Sequence, residues 1–244
     1  RDSINDVLLT STGGISLDGS ITTAVDSDET GATSGVVTLT GPVTLAGNTT
    51  IDTDSTSNNG AVTFSSTVDG AKTLTITSGS GAVDFAGNIG ATTALSDVTV
   101  NSSAGTGAIT FSGNVGADAT TAGAAVVTVG NSDTASITFA GVEFTTSGAQ
   151  TFTADAYSIT GADSTFGSSN DNITFADGGA DGGITLADIA DLTITTEIGG
   201  SGGGNIAVNV PIAGTSGDGD DATDVTMTAG SGTITIEDIS TDIN

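Results

Sequence analysis

The chain has no cysteine, no histidine and no tryptophan. Without cysteine there is no disulfide framework, and thiol usage says nothing about redox compartment. Lacking both histidine and cysteine, it has neither the commonest general base near neutral pH nor the soft metal ligands. Only Arg1 and Lys72 are basic, against 29 acidic residues, for a formal net charge of -27. A surface of that sign repels phosphate backbones and anionic lipid, which excludes nucleic acid and charged membrane surfaces as partners. No apolar run reaches the length of a membrane-spanning helix. No signal peptide is visible, and the start at Arg1 reads as a processed end whose targeting segment has gone.

What the chain does have is glycine, threonine, serine, alanine and aspartate in excess, with apolar residues making up 36% and spaced regularly. That spacing argues against disorder, and two prolines among 244 residues rule out a collagen-like chain. Abundant Thr, Ser, Gly, Ala and Asp with almost no lysine is also the composition of many prokaryotic surface proteins, a compositional association only.

The segment from Thr73 to Val115 contains one unit twice. A strand (Leu74-Thr75-Ile76, then Val98-Thr99-Val100) is followed by a small Gly/Ser turn and a second strand (Val83-Asp84-Phe85, then Ile109-Thr110-Phe111). A glycine corner comes next, Gly87 or Gly113, and then one more apolar residue, Ile89 or Val115. A unit recurring every twenty-odd residues cannot bury its apolar face alone and must stack on its neighbours. The apolar-x-apolar strand before the corner traces ten times, from Ile15, Val37, Val62, Val83, Ile109, Ile137, Ile159, Ile184, Ile206 and Ile234. The pattern predicts an all-β fold, a right-handed single-stranded parallel β-helix of about ten coils of roughly 24 residues, forming one domain over 1–244. Ten such coils make a rod roughly 45–50 Å long.

Strands alternate faces, so the flanking apolar residues point inward and the middle residue outward. The outward row is predicted to be mostly threonine: Ser16, Thr38, Thr63, Asp84, Thr110, Thr138, Thr160, Thr185, Ala207 and Thr235. The inward row places Phe64, Phe85, Phe111 and Phe139 in one internal column. The partner strand of each coil is read at Asp6 (DVLLT), Thr49, Thr73, Asp97, Val127, Thr151, Asn172, Asp191 and Asp224, with no clear copy between Ile21 and Val37. An all-β sandwich would need hairpin signals and antiparallel meanders, and the chain instead repeats one orientation of strand, corner and strand.

The repeated GAVTF, GAVDFAGN and GAITFSGN with intervening DVTV strands resemble the repeats of giant bacterial surface proteins, the filamentous-haemagglutinin-like and autotransporter-like adhesins. The resemblance spans nearly the whole chain. It implies a right-handed parallel β-helix, an extracellular or cell-surface location and a scaffold role, with no catalytic residue carried over.

Chemistry-bearing candidates are few. Glycoside hydrolysis needs a positioned carboxylate pair, which an acidic chain supplies anywhere, but exposed aromatics for sugar binding are missing from the pattern. A lyase would need a basic proton acceptor, and only Arg1 and Lys72 are available; no enzyme is expected. The densest acidic run offers hard oxygens to Ca²⁺ at Asp218, Asp220, Asp221 and Asp224, or is a solvated loop. No other cofactor is expected. Sequons occur at Asn48, Asn101 and Asn172. The threonine row raises ice binding, against which stands the irregular coil length of 21 to 28 residues.

The expectation for function is a structural subunit that polymerises into an extracellular filament, with a second copy of itself as partner and the cell surface or other filaments as further candidate partners. The alternative is the stalk or binding module of a secreted adhesin. The strand from Val7 reads as a second-strand copy and that from Ile234 as a first-strand copy. The interval across a junction from Ile234 to Val7 of the next chain then matches the intervals inside the chain, and predicts end-to-end stacking. The interface residues are Val7 and Leu9 at one edge, and Ile234, Ile236 and Ile239 at the other.

Overall fold

The structure, a computed structural model, describes residues 5–23, 34–55, 59–118, 121–180, 182–187, 191–199, 202–214 and 224–240. Every regular element among them is a β-strand, and every strand pairing between coils is parallel. The chain winds as a parallel β-solenoid with three faces per coil. The first coil shows the plan: Val7–Thr10 on the first face, Ile15–Leu17 on the second and Ser20–Thr22 on the third. Each strand then pairs in register with its counterpart one coil on, at Val37–Thr40, Val43–Leu45 and Thr49–Asp52.

Ten strands stack on the first face, from Val7–Thr10 to Ile239–Ser240. They delimit nine complete turns of about 26 residues each, slightly fewer and longer than the expected ten of 24. On the second face two coils contribute only single bridges, at Ile89 and Val115. The long strand Ala124–Gly130 pairs through Ala124 with Thr146 and through Val127–Gly130 with Gln150–Thr153, so the second and third faces merge there.

Alternation sets the packing. Val62-Thr63-Phe64, Val83-Asp84-Phe85, Ile109-Thr110-Phe111 and Ile137-Thr138-Phe139 each bury the outer two residues and leave the middle one half-buried. The buried apolar residues form one continuous core along the axis. Glycine serves where coils approach most closely. Gly60, Gly81 and Gly107 stack at the turn into the first face, and a Cβ on each would run into the backbone carbonyl of the glycine one coil below.

Several face assignments differ from the sequence expectation. Val7–Thr10 is not a partner strand but the opening strand of the first face, in register with Val37–Thr40. Ile15–Leu17 lies on the second face, and Ile206–Asn209 and Ile234–Ile236 on the third. The first-face strand of the seventh coil is Tyr157–Ile159, so Ile159 sits above Phe139 and is not a strand start. The strands at Asp191 and Val225 belong to the second face. The outward first-face row is therefore Leu8, Thr38, Thr63, Asp84, Thr110, Thr138, Ser158, Thr185 and Ala213. An apolar-x-apolar triplet looks the same on any of three faces, so counting triplets slips between them. The junction interval counted from Ile234 to Val7 falls with this correction, because the two strands lie on different faces.

Candidate functional site at the two ends of the solenoid

The four phenylalanines predicted to form a column do so. Phe64, Phe85, Phe111 and Phe139 stack with ring centroids 5.1, 5.1 and 5.7 Å apart and planes within 11°. Alternation did not single out the continuation of this column. Phe144 and Phe166 stack on the second face, Phe152 and Phe175 on the third, and Phe139 meets all four edge-on. The Tyr157 hydroxyl donates to the carbonyl of Ala176 at 2.6 Å, and burial pushes this phenol well above its usual range. These residues hold the rod together and none lies in an open site.

Two carboxylates are displaced toward the protonated form. Asp84 is raised by desolvation between Thr63 and Thr110 on the first face. Glu143 is raised by desolvation and then by the nearby charge of Asp118 on the second-face side. They lie on different faces and two coils apart, and do not form an acid and base pair across one bond. Of the calcium candidates, Asp218, Asp220 and Asp221 lie outside the described residues. Asp224 donates its backbone amide to Asp191 Oδ1 at 2.9 Å. Among the described residues no group of three or more acidic side chains is arranged to hold a metal ion.

The sequon asparagines have structural work. Asn101 is buried, and its Oδ1 accepts the Ser78 amide at 2.7 Å. Asn48 and Asn172 accept the amides of Thr73 and Asn205 from the coil above, at 3.2 and 2.7 Å. Threonine forms an in-register rank on the third face, Thr50, Thr75, Thr99, Thr128, Thr151 and Thr174, since the turns absorb the differences in coil length. The next outward rank passes through Asp52, Thr77, Gly130, Thr153 and Ala176, so hydroxyls do not repeat in the second direction. The threonine rank is accounted for by cross-strand contacts between β-branched neighbours.

What stands out is at the ends. Among the described residues, each face has one outermost strand at either end of the stack. These are Val7–Thr10, Ile15–Leu17 and Ser20–Thr22 at one end, and Ile239–Ser240, Val225–Thr228 and Ile234–Ile236 at the other. Five of the six exposed large apolar side chains among the described residues lie on these strands: Leu8, Leu9, Ile234, Ile236 and Ile239, with Val142 the exception. Four of the five occupy inward positions. Leu9 is 36% exposed where Leu39, one coil in, is 0%, and Ile239 is 42% exposed where Ile212 is 1%. Ile234 and Ile236 are 41% and 36% exposed above Ile206 and Val208, both 0%. They keep the inward facing of their counterparts one coil in and lie on the outermost described strands. Val7 and Ile21 are partly buried and packed on the core from one side. All five predicted interface residues thus fall on the two end coils.

No family model, no curated protein and no solved structure matches the chain.

Proposed function

We propose that the protein is a non-enzymatic structural subunit of an extracellular fibre, built by stacking the last coil of one solenoid on the first coil of another. The observation that supports this is the in-register stacking of one three-faced coil section along a single continuous apolar core, a fold that a further coil of like section can extend. Every coil between the outermost described strands is covered on both sides by a coil of the same three-faced section, and a coil of that section from a second copy fits the same stacking. Large exposed apolar areas mark interaction surfaces, and unpaired parallel edges are templates for further strands. Stacking of the last described coil of one copy on the first of another would be a heterologous contact, which propagates into a filament. The strongly acidic surface keeps rods apart sideways, and the composition and the adhesin-like repeats support an extracellular setting.

The test is negative-stain microscopy and sedimentation of the purified chain, beside a variant carrying Val7→Lys and Leu9→Lys and another carrying Ile236→Lys and Ile239→Lys. Filaments of one solenoid width are expected from the wild type, and folded single rods from either variant. Filaments that survive both pairs of substitutions would refute the reading. Wild-type rods that stay single at every salt concentration would instead point to the stalk of an adhesin.

A further inference from the structure

The long side of the rod formed by the first face is nearly free of charge. Each strand there points one residue outward between two inward ones. In the five central coils that rank is Thr63, Asp84, Thr110, Thr138 and Ser158, all half-buried and in register. The outward residue before each of these strands is alanine except for Ser136. The residue after each alternates between hydroxyl and methyl: Ser65, Ala86, Ser112, Ala140 and Thr160. One more coil on either side, through Thr38 and Thr185, continues the three ranks, and Asp84 is the only charged residue in them. In a chain of net charge -27, other acidic residues fall in turns such as those of Asp133 and Asp155. Others lie on the second face at Asp69, Glu143, Asp163 and Asp191, and on the third at Asp52 and Asp97.

Small uncharged side chains let two sheet faces pack at the usual spacing of about 10 Å or closer. Seven strands about 4.8 Å apart, with outward ranks about 6.6 Å apart, offer roughly 600 Å² per copy, so a pair reaches the low end of specific interfaces at roughly 1,200 Å². The charge distribution selects the partner. A basic partner is drawn to the acidic turns and the other faces, whereas a second acidic rod is repelled from those and can close only on this one. We propose that the first face is a lateral docking surface for a second copy of the chain, with the two rods face to face and antiparallel about a two-fold axis at Thr110. Asp84 decides the polarity. A two-fold axis along the rod would set every coil on its own copy and put Asp84 on Asp84. An axis along the strand Ile109–Phe111 reverses one rod, sets Thr110 on Thr110, and opposes Asp84 to Thr138 and Thr63 to Ser158. Each carboxylate then meets a hydroxyl that can donate to it. The acidic turns flanking the face still repel each other, so rods stay single in low salt and pair when that repulsion is screened.

This side contact does not depend on end-to-end stacking. The chain has no cysteine, so single cysteines report the register without background. Thr110→Cys, Thr63→Cys and Ser158→Cys would be prepared separately, checked for folding by circular dichroism, and treated with a short bifunctional maleimide at physiological salt. Thr110→Cys is expected to cross-link to itself. Thr63→Cys and Ser158→Cys are each expected to stay single alone and to link when mixed. Adding Ala108→Glu beside Thr110→Cys sets like charges across the axis and is expected to cut the cross-linked yield roughly ten-fold. No dimer from Thr110→Cys would overturn the docking face, and so would a dimer that survives Ala108→Glu. Self-linking by all three cysteines would overturn the antiparallel register. Filaments without cross-links would leave end stacking standing and this inference refuted, and cross-linked pairs without filaments would do the reverse.

Discussion

Replacing Phe111 with alanine tests the packing of the rod at its most closely determined point. The ring stacks on Phe85 at 5.1 Å and on Phe139 at 5.7 Å, meets Phe144 edge-on at 6.1 Å, and is 1% exposed. Truncating a buried phenylalanine costs about 3–5 kcal/mol, of which about 0.5–1.5 kcal/mol belongs to each aromatic pair. Neighbouring coils are pinned in register by backbone bonds on three faces, so they cannot collapse into the gap. Phe111 also borders a void of about 10 Å³ shared with Val115, Val127, Phe144, Thr146, Gln150 and Phe152. The new cavity joins it, which places the cost in the upper part of the range. Thr110, one residue earlier and facing outward, supplies the control, and Thr110→Ala changes stability by no more than about 0.5 kcal/mol. Both variants would be followed by urea unfolding. Hydrogen exchange across residues 83–154 would accompany it, because stacked repeats can lose cooperativity and open locally. The truncation is expected to lower the midpoint and the protection of the flanking coils while the threonine variant tracks wild type. Equal losses from the two would refute the facing of this strand and with it the column.

Other outcomes follow from the same geometry. Gly81→Ala forces a Cβ onto the Gly60 carbonyl in the coil below and costs about 1–3 kcal/mol; a thermal melt that does not move would show that the turns have more room than they display. Burial raises Asp84 above its ordinary value, so the folded state binds that proton more tightly than the unfolded chain. The resulting penalty is full above the raised value and vanishes below about pH 3.9. Asp84→Asn is therefore expected to melt higher than wild type at pH 7, by well under about 1 kcal/mol because the carboxylate is partly solvated. The gap should close as pH falls; a gap that widened in acid would reverse the argument. Filament formation by the wild type is expected to strengthen with NaCl or divalent cations, since the Debye length falls to about 8 Å at physiological ionic strength. Turbidity that declined steadily with added salt would count against assembly limited by acidic repulsion.

Alternation with period two is a local property, and it alone determined which side chains point inward. Val83-Asp84-Phe85 and Ile109-Thr110-Phe111 face as their spacing required, and recurrence of the unit was enough for parallel stacking and for the column from Phe64 to Phe139. Face identity is not local. A strand such as Ile15-Ser16-Leu17 carries the same pattern as Val37-Thr38-Leu39, and only its pairing with Val43–Leu45 puts it on the second face. The turns take up every difference in coil length, so residue counts along the chain do not report position around the axis. That is why Val7, which read as a partner strand, lies on the first face in register with Val37, and Ile239 lies on the same face in register with Ile212. The end residues were legible as an apolar edge because they continue the alternation. That Asp84 stands alone among uncharged residues on the first face was decided by the stacked tertiary structure, since only hydrogen bonding between coils fixes which residue lies over which.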